Sequence, residues 1–316
     1  MPITRDEYLR EFMQIYWLRP ESAVFAAVKA HRLQSLPVTG RSLDLSCGDG
    51  LFSFISLGGR IAPEFDVFGD TGHLDRVRPD NADMFDYVSG AYAVPVLTRP
   101  PLRISRAIDM KRSMLAKASA LGLYEDLVEH DCNETIPLPD GSVDTLLFFN
   151  TINHYRDADT ILRSIARILS PGGAAYISIL DPSLGALYDA LEGSFPADWL
   201  HILERGLRSL WPIMMQPDGW RAAFDRAGLE CRELAPLVDK RFIPVWSVGL
   251  RPLAPNLVEL ARAARTGSPR DFPGIKARWV DLMCDLARPF AHMEPAAPED
   301  AGTYLAVLRK PAGGAS

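Results

Sequence analysis

Apolar residues at Tyr8, Leu9, Phe12, Ile15 and Tyr16 return every three or four positions, the spacing of one helix face, and predict a helix over 5–17. Pro20, Glu21 and Ser22 open a second helix that runs to Leu33, with proline in the first turn, where its missing N–H costs nothing. Beyond residue 40 the period changes. Short apolar runs follow at 42–45, 107–110, 127–132, 145–149 and 174–180, three of them with an acid near the end, and they read as strands buried on both faces. Helical patterns separate them. One starts at 51–57; another spans 111–122, with Met114, Leu115, Ala118 and Leu121 on one face; a third spans 160–169 and is stopped by Ser170, Pro171, Gly172 and Gly173. The step from Asp109 to Asp131 is 22 residues, room for one helix and one strand of a βαβ unit. Further on, the pattern predicts helices at 198–210, 217–227, 255–265 and 275–286, and strands at 229–234 and 302–310. Strands alternating with helices mean an α/β fold around a parallel sheet.

Chemistry concentrates where the first strand ends. Asp44 is followed by Ser46, Cys47, Gly48, Asp49 and Gly50, and glycine lets the chain turn sharply and bring bare backbone to a ligand. An acid before the turn would repel a phosphate and suits an amino group or ribose hydroxyls. The lysine of a P-loop and the third glycine of a dinucleotide turn are missing from this segment.

With Asp44, Gly48, Gly50, Asp109, Asp131 and the Leu169–Gly173 stop in this order, the sequence resembles the class I S-adenosylmethionine-dependent methyltransferases of the small-molecule type. Ser46 stands where that family has its first glycine. The resemblance covers residues 42 to 180. It implies a Rossmann-like, doubly wound seven-stranded sheet of order 3-2-1-4-5-7-6, with strand 7 antiparallel, and ligands bound at the carboxyl ends of strands 1 to 4. It also implies cofactor contacts from Asp44, Ser46, Gly48, Gly50, Asp109, Met110, Asp131, Cys132 and Asn150 to S-adenosylmethionine, with S-adenosylhomocysteine as product. In such enzymes the second-strand acid grips the ribose diol, and the third accepts the adenine amino proton. Asp70, 20 residues after Gly50, competes with Asp109 for the first role.

Gly50 and Asp109 are separated by 58 residues, where one helix and one strand need roughly 17 to 20, so an insertion sits near 60–104. A second occupies 237–300. The expected organisation is an N-terminal helical lid at 1–35, a core at 36–310 carrying both insertions, and a flexible tail at 311–316. Candidate acceptor contacts are Tyr16, Trp17 and Arg19 of the lid, Asn153 of the loop after strand 4, and Arg241, Trp246 and Arg251 of the second insertion. Aromatic faces stack on rings and guanidinium groups fork onto anions, although an aromatic helix face also simply packs on a core. His154 and Tyr155 are the candidate catalytic residues, His154 because imidazole takes a proton near neutral pH.

Charge narrows the partners. A formal net charge of -6 argues against a dedicated nucleic-acid binder and disfavours protein or RNA methylation without excluding it, so a small-molecule substrate is expected. The apolar runs are too short for a membrane span, and four cysteines without a CxxC pair read as reduced thiols with no metal site, so a cytoplasmic setting is expected. Two functions stay open on these grounds: methyl transfer to a small molecule, or binding of the donor without transfer, as a partner or regulatory subunit.

Overall fold

The computed structural model describes residues 2–71, 84–149, 152–204 and 211–312. β1 (Ser42–Leu45) is buried along its whole length, as an apolar strand flanked on both sides must be. Beyond it come a short antiparallel pair outside the main sheet, β2 (Arg60–Ile61) and β3 (Val96–Thr98), then β4 (Ile104–Asp109), β5 (Tyr124–Glu129), β6 (Val143–Phe148), β7 (Leu169–Leu180), β8 (Glu230–Pro236) and β9 (Thr303–Arg309). Among the described residues seven strands form the main sheet, in the order β5-β4-β1-β6-β7-β9-β8. With the β2–β3 pair set aside this is 3-2-1-4-5-7-6, and β9 runs antiparallel to both neighbours. Asp44 lies level with Ala107 of β4 and Leu147 of β6, so β1 is the strand on which the carboxyl edge is centred.

Alternation along each strand divides the apolar side chains between two layers. Leu43, Leu45, Leu146 and Phe148 face α5 (Ala158–Ile168) and α8 (Pro217–Arg226); Ala107, Leu147 and Phe149 face α1 (Arg5–Ile15), α2 (Pro20–Leu33) and α3 (Leu51–Ser56). Local signals start these helices. Thr4 and Glu7 close a reciprocal capping box on α1, and Asp157 caps α5 through the Asp159 and Thr160 amides. α4 (Arg112–Ser119) links β4 to β5. After β7 come α6 (Ser183–Leu191), which the sequence pattern did not reveal, and α7 (Ala197–Glu204); the rest of the helix expected to reach 210 lies outside the described residues.

The second insertion forms α9 (Phe242–Pro244), a π-turn over Val245–Leu250, α10 (Ala254–Gly267) and the 20-residue α11 (Phe272–Ala291), which lies against α1 and α2. Trp17 pins this layer. Its indole N–H donates to Asp66 Oδ1 at 2.8 Å, its carbonyl accepts from Trp279 Nε1 at 2.6 Å, and its ring meets Phe68 and Phe272 edge-on. Lys276 Nζ donates to the Pro63 carbonyl at 2.9 Å and to that of Phe65, tying the two insertions together. The expected acceptor role for Trp17 is therefore corrected: a 3% exposed indole with its donor engaged is a joint of the fold.

Candidate functional site

The turn from β1 to α3 takes a left-handed backbone at alternate residues, with φ of 54° at Ser46, 57° at Gly48 and 76° at Gly50. Ser46 does so despite its Cβ, at a cost of about 1–2 kcal/mol, and its hydroxyl sits 2.7 Å from Tyr155 Oη. The two glycines serve different ends. A Cβ at Gly50 would fall 2.9 Å from the Tyr124 ring, so packing excludes a side chain; a Cβ at Gly48 would meet nothing within 4 Å. Bare backbone beside open space is what a ligand needs in order to come close.

Three acids stand at the ends of adjacent strands. Asp109, at the end of β4, accepts from Gly48 N through Oδ2 and from Lys111 N through Oδ1, both at 2.9 Å, so one carboxylate bridges the glycine turn and its own strand end. Each oxygen keeps a lone pair, enough for a vicinal diol. His130 N donates to the Asp109 carbonyl at 3.0 Å, which brings the segment after β5 alongside. On that segment, Asp131 Oδ1 takes both the amide and the side-chain N–H of Asn133 at 2.9 Å, and these bonds hold its carboxyl below the usual range. Asp44 is buried and accepts from Tyr124 Oη at 2.7 Å. Burial raises its pKa to about 6 against the opposing bonds from Ser53 and Tyr124, and the Asp109 charge adds to the rise. Between Asp109 and Lys111, Met110 leaves 58% of its surface in solvent, an apolar patch fit to lie under a flat base. Cys132 is buried, its thiol pushed up to about 12 by desolvation. Asp70, the competing ribose ligand, spends both oxygens on the Ser89 amide at 3.1 and 3.0 Å and does not reach the glycine turn by any such bond.

The loop after β6 separates the remaining candidates. Asn150 and Thr151 lie outside the described residues. His154 ends a short 3-10 turn and is exposed. Asn153 is buried instead: its amide donates to Ile213 O at 2.6 Å and its oxygen accepts from Leu180 N at 3.3 Å, so it positions the loop and does not face an acceptor. Tyr155 packs edge-on against Phe148 and bonds Ser46; burial drives its phenol far up, which removes it as a base and leaves it as a prop beneath the glycine turn. Two further expectations are corrected. Arg241 forks onto Asp239, two residues away, with 2.8 Å bonds to both oxygens, and Trp246 is buried between Phe25 and Trp211. Arg251 donates to the Leu203 and Glu204 carbonyls at 3.4 and 2.7 Å.

The Tyr16 phenol is driven up by burial first and then by the charge of Asp49 in the glycine turn, while Arg19 opposes. Tyr92 of the first insertion feels Asp49 as well.

Sequence reasoning missed Tyr124, whose hydroxyl holds Asp44 from 80 residues away, and the buried Lys29 on α2. Lys29 Nζ lies 5.6 Å from the centre of the Phe52 ring, which in turn contacts Phe149 at the end of β6. Burial lowers its pKa to about 7 from an ordinary 10.5. Between those values the unfolded chain binds more protons, so stability gains with rising pH, by about 1.4 kcal/mol per unit in the middle of the window. Lys29→Met should therefore be more stable than the natural chain below pH 7 in urea unfolding, with the gap closing toward pH 10. A gap independent of pH would contradict this.

Comparison with known proteins gives the same domain. A methyltransferase domain matches residues 89–177, beginning after the first glycine turn and spanning Asp109, Asp131 and the 170–173 stop. Residues 51–88 separate the first motif from that span. The ubiquinone biosynthesis O-methyltransferase of Marinobacter nauticus is 27% identical over 165 residues, half of this chain and 67% of the relative. Similar solved structures include the [4+2]-cyclase SpnF, with 16% identity, coverage of 93% of this chain and 83% of that one, and a TM-score of 0.47. Another is phosphoethanolamine N-methyltransferase 2 of Haemonchus contortus, in complex with S-adenosyl-L-methionine, with 14% identity, coverage of 98% and 57%, and a TM-score of 0.48. No described helix is long and apolar enough to cross a membrane.

Proposed function

This chain is a class I S-adenosylmethionine-dependent methyltransferase, and we propose that it methylates a small-molecule acceptor by in-line displacement. Bound S-adenosylmethionine supplies a methyl group already activated by its sulfonium, so the protein's work is to hold and to align. Asp109 takes the ribose hydroxyls while keeping its two backbone bonds, and the Gly48 backbone stands next to the methionine portion. Met110 covers one face of the adenine, and Asp131 accepts from its amino group. Asp44, locked to Tyr124 and Ser53, fixes the turn from below.

The acceptor enters from the side of Tyr16, Arg19 and the loop at 152–157. His154 is the base we assign where the nucleophile must lose a proton, because imidazole is the side chain that takes and gives a proton most readily in neutral water. The relative's name supports oxygen as the atom methylated. The observation that carries this reading is the Asp109 carboxylate spanning to Gly48 N beside open space.

The experiment is incubation of the chain with methyl-labelled S-adenosylmethionine and a broad panel of hydroxylated metabolites. Label should move to a small molecule. Tight donor binding with no transfer across the panel would favour a role as a donor-binding partner or regulatory subunit.

A further inference from the structure

Glu21 stands in the first turn of α2, directly after the Tyr16–Arg19 corner. Its carboxylate is fully buried; Arg19 Nε donates to Oε1 at 3.1 Å, and Oε2 has no hydrogen-bond partner. A buried carboxylate oxygen without a donor is unfavourable, and a ligand that brings one relieves the cost. Its surroundings point the same way. Phe25, one turn along the same face of α2, touches Phe242 and Trp246, each at 5.4 Å between ring centres. The next residue, Ser247, is also fully buried with an unpartnered hydroxyl. Burial pushes the Glu21 carboxyl up, and the charges of Arg19 and of Arg251, on the turn that follows, oppose that rise.

We propose that Glu21 anchors the methyl acceptor, its Oε2 accepting from a hydroxyl of a hydroxylated, anionic small molecule. The orphaned oxygen demands a donor, and the guanidinium groups of Arg19 and Arg251 repel an ammonium and attract an acid. This inference rests on the methyl-transfer reading and adds to it the class of acceptor and the residue that selects it.

Two probes carry the required chemistry from different sources: 3,4-dihydroxybenzoate, aromatic, and D-glucuronate, a sugar acid. Each is titrated calorimetrically into the full chain saturated with S-adenosylhomocysteine. At least one should bind, and Glu21→Leu should weaken it about tenfold or more, with Glu21→Gln in between. The melting temperature should change little in Glu21→Leu, because Arg19, with 29% of its side chain exposed, can turn to solvent when its partner is removed, and S-adenosylhomocysteine affinity should change less than about twofold. The pattern of the two probes tells an aromatic from a sugar acceptor. Equal probe binding by Glu21→Leu and the natural chain, no probe binding by the natural chain, or a lowered melting temperature with weakened cofactor binding in the variants would each overturn the anchor. Absence of S-adenosylhomocysteine binding in the natural chain would instead overturn the methyl-transfer reading.

Discussion

Asp109→Ala should weaken S-adenosylmethionine binding roughly a hundredfold, about 2–3 kcal/mol, through loss of charge-assisted bonds to the ribose diol. Its carboxylate does a second job: with Oδ2 gone, Gly48 N loses its acceptor and the glycine turn loses its tie to the end of β4. Asp109→Asn separates the two. An amide oxygen can still accept from one backbone N–H, so the turn holds better while the charge is lost, and affinity should fall less than in the alanine variant. Asp70→Ala is the matched control, since its oxygens serve the Ser89 amide. Calorimetry should find its cofactor affinity unchanged; a loss there with none at Asp109 would move the ribose contact into the first insertion.

Gly48→Val should abolish measurable donor binding while the chain still folds. The position has φ 57°, where a β-branched residue is strained by about 1–2 kcal/mol, yet its Cβ meets nothing within 4 Å. The new side chain fills the space the ligand needs. Gly50→Ala should behave in the opposite sense, because its Cβ would press on the Tyr124 ring at 2.9 Å and Leu121 at 3.0 Å. There the melting temperature should drop more and binding should follow stability. Thermal unfolding and calorimetry on both variants read the contrast, and a Gly48→Val chain that binds normally would mean the ligand lies elsewhere.

The sheet was legible because its information is local. Apolar runs that end in Asp44 and Asp109 mark strands whatever surrounds them, and the helices between fix parallel neighbours. Boundaries drifted where pairing decides them: β7 begins at Leu169, not 174, because Gly172 and Gly173 already bond the Lys310 segment beyond β9. Side chains whose partners are far along the chain were not legible. Tyr16 and Trp17 are adjacent and equally aromatic, but only the fold brings Asp49 to the first and Asp66 and Trp279 to the second. Glu21 looked like an ordinary first-turn acid, and nothing in 20–33 says that the fold will bury it completely. Arg241 is the exception: Asp239, two residues earlier, was visible as its partner all along.

The ends of β1, β4 and β5 are where the cofactor should sit. Titration of S-adenosylhomocysteine into the natural chain, Asp109→Ala and Gly48→Val decides this most directly. One molecule should bind per natural chain, with affinity reduced roughly a hundredfold in the first variant and lost in the second. No binding to the natural chain, or equal binding by all three folded proteins, would contradict a donor held at the ends of β1, β4 and β5.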